Sequence, residues 1–236
     1  MPSTGLGSSP SIPSMRLQSG LEIDDPQGRL LRFSREEYNY YDGVFGSDPN
    51  RVEPIDVLAT WSVNSNIYRV DPDERPFIDP AAKMRAVHRG LATNCDRLLA
   101  EIPEDADLLS FDTEFEMIGR LLGQAIRTRG VGIPVATKVL HRKRRNLIPM
   151  LDSIVSEYYL TASEVASLKY KKNWNNRQLV VSLALKALAM FREDLRNGLR
   201  EVESYRQILS AASYFLSPTR ILEILIWTKK RGLYGP

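Results

Sequence analysis

Cysteine is almost absent from this chain, with Cys95 the only one in 236 residues. That excludes a disulfide framework and suits a reducing compartment, so a cytoplasmic location is expected. Long apolar runs are absent as well. No window reaches the length needed to cross a bilayer and the first residues carry no hydrophobic signal core, so no membrane partner is expected. Alternating strand patterns of any length are missing, as is any internal repeat, which leaves an all-α architecture. Net charge is only +3, too small to name a nucleic-acid partner by itself, so local clustering matters more. Acidic residues gather between Glu101 and Glu116 without the spacing of a calcium loop. A solvated loop and an acidic helix start are expected there, and no metal or cofactor.

What is present is a supply of helices. At 43% hydrophobic residues the chain can bury a sizeable core and make one or two compact domains. Residues 1–28, rich in Ser, Gly and Pro, are expected to be a flexible tail, and 29–236 the folded body. Leu30, Leu31 and Phe33 suggest a short extended piece, with Ser34 and Glu37 as the capping box of a helix through Tyr41. A helix opens at Pro54, and a Pro- and Asp-rich loop over 64–80 follows as a lid or variable surface. Met84, Val87, Leu91, Cys95, Leu98 and Leu99 form the core stripe of a helix over about 81–100, with His88 at its boundary. Further helices are expected over about 113–129, from Val135, after Asp152, after Thr161 with Glu164 in the capping-box position, and over 178–196, 201–216 and 219–230. That makes about nine or ten. Tyr38, Tyr40, Tyr41 and Phe45 read as packing aromatics rather than a base-stacking platform.

The densest information lies between Arg127 and Val155. Gly130 and Gly132 bracket Val131, a spacing that lets the backbone reverse and leaves amides bare. Pro134 falls in the first turn of the next helix, where its missing N–H costs nothing. Such a helix start favours an anion, most commonly a phosphate. The run His141-Arg142-Lys143-Arg144-Arg145 closes that helix, and Pro149 and Asp152 lead into the next.

Gly130-Val131-Gly132, the small pair Val135-Ala136 and the element Asp152-Ser153-Ile154-Val155 resemble, in order and spacing, the hairpin of the helix-hairpin-helix DNA glycosylases. The resemblance implies a multi-helix fold with its hairpin over 115–145 and a cleft between two lobes. It also implies that the hairpin grips a DNA backbone and that Asp152 acts on the sugar of a flipped nucleotide. Three positions depart from the pattern. Pro134 stands where the bifunctional members carry a nucleophilic lysine, Thr128-Arg129 replaces the usual Pro-Leu, and Ile154 replaces a frequent His. A monofunctional hydrolase without Schiff-base chemistry is therefore implied, and the single cysteine excludes the iron–sulfur subgroup. Through Tyr40-Tyr41-Asp42-Gly43 and Arg220-Ile221-Leu222-Glu223 the whole chain also resembles a mainly actinobacterial family of unknown function.

The expectations are specific. Asp152 is the catalytic residue, a role that coexists with capping a helix. Arg127, Arg129, Gly130, Val131, Gly132, Lys138, Arg142, Lys143, Arg144 and Arg145 contact nucleic acid, DNA or alternatively RNA. Lys169 to Lys172 with Trp174 form a second basic-aromatic patch. Two alternatives stand beside the hydrolase: a non-catalytic nucleic-acid-binding protein, and a helical enzyme or partner-binding protein that reuses the scaffold on a small molecule or RNA.

Overall fold

The computed structural model describes residues 14–38, 41–44, 47–63, 79–110, 115–169 and 176–234. The loop over 64–78, the patch around Lys171, Lys172 and Trp174, and Tyr40 and Phe45 lie outside the described residues.

The described chain opens with a small antiparallel hairpin, β1 (Ser14–Arg16) and β2 (Glu22–Asp24), with Met15 opposite Ile23. The expected tail is thus corrected from residue 14 onward. Each strand has only three residues, too few for a visible alternation, yet Met15, Leu17 and Ile23 are buried. The hairpin is pinned at its tip, where the Ser19 amide donates to Asp194 Oδ1 at 2.9 Å and the Leu21 amide to the Tyr158 hydroxyl at 3.3 Å.

Helix α1 (Pro26–Glu37) begins earlier than expected and includes the residues expected to be extended. Asp25, not Ser34, is its cap, accepting from the Gly28 amide at 3.0 Å, while Pro26 pre-sets the first turn. Helix α2 (Pro54–Ser62) also starts on its proline, and its Glu53 and Asp56 side chains cap reciprocally with the backbone. Helix α3 (Pro80–Glu101) buries Val87, Leu91, Cys95, Leu98 and Leu99 as the stripe requires. Helix α4 (Phe115–Ala125) packs on α3 with Ile118, Leu121, Leu122 and Ala125.

Beyond the turn come α5 (Ile133–Lys143), α6 (Ser153–Tyr159) and α7 (Ala162–Lys169). Before α7, the Thr161 amide donates to Glu164 and the Glu164 amide to Thr161, the expected box. Helix α8 (Arg177–Asn197) buries one face from Val180 to Leu195 and leaves Met190 exposed. Helices α9 (Leu199–Ala211) and α10 (Pro218–Lys230) complete the order. Helix α10 is the axis of the fold: every residue from Thr219 to Ile226 is buried, and the helix packs against α1, α6, α8, α9 and β2. The fold is mostly helical, with ten helices among the described residues.

Candidate functional site

The turn before α5 keeps its reversal but assigns its residues unequally. Gly130 has φ +84°, a left-handed conformation costly for any side chain, and open space around it. Gly132 is extended at φ −100° and caps α5 with its carbonyl, which accepts from the Ala136 amide at 2.9 Å. A β-carbon there would meet only Pro134 Cδ at 3.8 Å, so the position tolerates side chains. Val131 is fully buried and serves the core rather than a ligand. The turn is clasped to α3 through Thr128, whose hydroxyl accepts from Asn94 Nδ2 at 3.0 Å. Arg127 and Arg129 are exposed on its rim.

The basic run is the largest correction. Expected to contact nucleic acid, Arg142, Lys143 and Arg144 are buried and turned inward. Arg142 Nε meets Asp56 Oδ1 at 3.0 Å, and its Nη1 donates to the carbonyls of Tyr41 and Val44. Lys143 pairs with the other oxygen of Asp56 and donates to the Asp48 carbonyl at 2.8 Å. Arg144 is fully buried, donating to the carbonyls of Pro49, Leu99 and Ile102 and to Asn50 Oδ1. Lys138, also expected to contact nucleic acid, is buried with Nζ 2.5 Å from the Val63 carbonyl, and burial pulls its pKa down. Of the run, only Arg145 is half-buried rather than enclosed. These cations tie α5 to α2, to the segment before α2 and to the end of α3.

The same helix sets the loop that carries Asp152. His141 donates from Nδ1 to the Ile148 carbonyl at 2.7 Å, and burial lowers its pKa to about 3, so the ring is neutral and its tautomer fixed. One turn earlier, Thr137 Oγ1 donates to the Ile133 carbonyl and accepts the Leu151 amide at 3.1 Å. Two side chains four residues apart on one helix face therefore hold the loop at both ends. Asp152 follows, half-buried, its Oδ1 accepting the amides of Ile154 and Val155 at 2.9 Å each. Among the described residues no donor reaches Oδ2.

Around Asp152 lies a set of charges that sequence reasoning missed. Arg220, buried on α10, makes a two-pronged contact with Asp42 at 2.8 and 2.9 Å and gives its remaining nitrogen to Glu223. Its guanidinium sits 5.3 Å from the Phe33 ring centre and 5.5 Å from that of Tyr41. Burial pushes Glu223 up to about 7, Arg220 opposing and Asp152 adding to the rise. Lys138 feels both Asp152 and Glu223. Asp42 and Arg220 lie 178 residues apart, in the two segments through which the whole-chain resemblance ran. That was the only sequence signal toward them. Among the described residues no three His, Cys, Asp or Glu side chains are placed to hold a metal ion, and no helix is long and apolar enough to cross a membrane.

Ten helices among the described residues, with a mixed-charge centre enclosed by α5, the loop before α6, and α10, define a helical protein built around a buried polar site. Residues 27–230, which include all of these groups, match a family of unknown function (DUF6308), and the chain belongs to that family. Neither the curated proteins nor the solved structures contain a match.

Proposed function

We propose that the protein is a nucleic-acid-binding hydrolase of the monofunctional glycosylase type, cleaving an N-glycosidic bond with Asp152. One observation carries this reading: Asp152 is fixed by two backbone amides through Oδ1 while Oδ2 stays without a donor among the described residues. A carboxylate held in this way, in a partly dry setting, stabilises the positive charge that develops on a sugar as its base departs and accepts a proton from the attacking water. Gly130, Gly132, Arg127 and Arg129 lie at the turn where a phosphate would rest, and Pro134 offers no amine. Incubation with duplexes bearing a modified base should release the base and leave an abasic strand that breaks only after alkali. Breakage without alkali by freshly purified protein would contradict a purely hydrolytic mechanism.

The turn's part is tested at Gly132, because the structure gives it room. Gly132→Leu should weaken duplex binding in a gel shift while thermal melting stays within a degree or two, on the scale of an ordinary surface change. Unchanged binding would remove the turn from the interface.

A second reading, in which the substrate is a small glycoside rather than a duplex, is favoured by the inward direction of the basic residues. Salt separates the two. With Lys138, Arg142, Lys143 and Arg144 enclosed, the phosphate contacts left to Arg127, Arg129 and Arg145 give a log–log slope of roughly −3 at most, against about −6 had all seven cations taken part. A slope near zero would favour the small substrate, and one near −6 would mean that the run opens on binding.

A further inference from the structure

We propose that Glu223 is the proton donor of this site, delivering a hydrogen to the leaving nitrogen of a neutral base while Asp152 serves the sugar. This rests on the glycosidic reading above and deepens it. The charges set the roles. Glu223 faces two other carboxyl groups (Asp42 and Asp152) and two cations (Arg220 and Lys138). Asp42 takes two nitrogens of Arg220 and Asp152 takes two amides, whereas Glu223 holds one arm of Arg220 through Oε2. Among the described residues no donor reaches its Oε1. Glu223 is also only 4% exposed, so it gains little from water when ionised. With one arm of Arg220 and almost no water, Glu223 is the carboxyl that holds a proton, in keeping with its rise to about 7 through burial. A carboxyl kept protonated by its surroundings can serve as an acid beside another that works as a base.

The step balances without another reactant. The bond from the sugar's anomeric carbon to the base nitrogen breaks, and the Glu223 proton goes to that nitrogen. Water adds its oxygen to the anomeric carbon and yields a proton to Asp152, which returns to Glu223 through solvent. The groups facing Glu223 are Arg220 on its own helix, Asp42 from the segment after α1, Asp152 at the start of α6 and Lys138 on α5.

A base that already carries positive charge leaves without an acid, and this supplies the test. Two duplexes are compared, one with a single hypoxanthine and one with a single N7-methylguanine. Wild-type protein should release both, and Glu223→Gln should lose hypoxanthine release by about 100-fold or more while keeping N7-methylguanine release, which also shows that the variant is folded. In the wild-type protein, kcat/KM for hypoxanthine should fall as pH rises through about 7, because the neutral acid is the active form, while the cationic base shows no such limb. This profile decides the matter even if the variant fails to fold. Equal activity of Glu223→Gln on both duplexes, loss of both by a folded variant, or one shared pH profile would overturn the proton-donor role and leave Asp152 in place. Release of neither base by wild-type protein would overturn the glycosidic reading itself.

Discussion

Asp152→Asn is expected to lower base release by roughly 10³-fold while binding and melting hardly change. Asparagine keeps an oxygen for the Ile154 and Val155 amides, and it caps helices as well as aspartate does, so the cost in stability stays below about 1 kcal/mol. What it loses is the charge on Oδ2. The paired measurements are single-turnover base release and thermal melting on one preparation. Full activity in this variant would return Asp152 to being a helix cap. Lost activity with a matching loss of stability would make its role structural.

Asp56→Ala should produce the largest fall in stability, about 3–5 kcal/mol by denaturant titration. Asp56 is fully buried and takes Arg142 on one oxygen and Lys143 on the other, and it also accepts from Ser47 Oγ and the Glu53 amide. Removing it strands two cations in a dry place, a large share of the 5–15 kcal/mol that usually holds a domain together. Arg127→Ala on the exposed rim should change stability by less than about 0.5 kcal/mol. An Asp56→Ala protein within about 1 kcal/mol of wild type would mean that Arg142 and Lys143 turn to water easily and belong to the surface after all.

The contrast between these residues shows what could be read from the sequence. Helices α2 to α10 were legible because their signals are local: Pro54 at a first turn, a stripe from Val87 to Leu99, and the Thr161–Glu164 box. Asp152 and the glycine turn were legible through spacing within about twenty residues. The β-hairpin was not, since three-residue strands carry no period. The basic run was misread because its meaning depends on Asp56, 86 residues from Arg142, and nothing local to a row of cations tells whether a distant carboxylate lies beneath it. Glu223 was missed for a related reason: its partner Arg220 is three residues away, but the neighbouring carboxyls Asp42 and Asp152 come from other parts of the chain.

The position of α10 sets a timetable for synthesis. Helix α10, buried without a break from Thr219 to Ile226, is made after the other nine described helices, and Asp42 waits 178 residues for Arg220. At the usual 5–20 residues per second that is a delay of roughly 10 to 35 seconds, during which the groove that α10 will fill stays open and Asp42 remains in water. Lys229 reaching Asp24 and Arg32 reaching the Tyr234 carbonyl then join these late-made residues to β2 and α1, made about 200 residues earlier. Nascent chains halted before residue 218 should be open to protease across the α1, α6 and α9 faces, and those extended past residue 234 should be resistant.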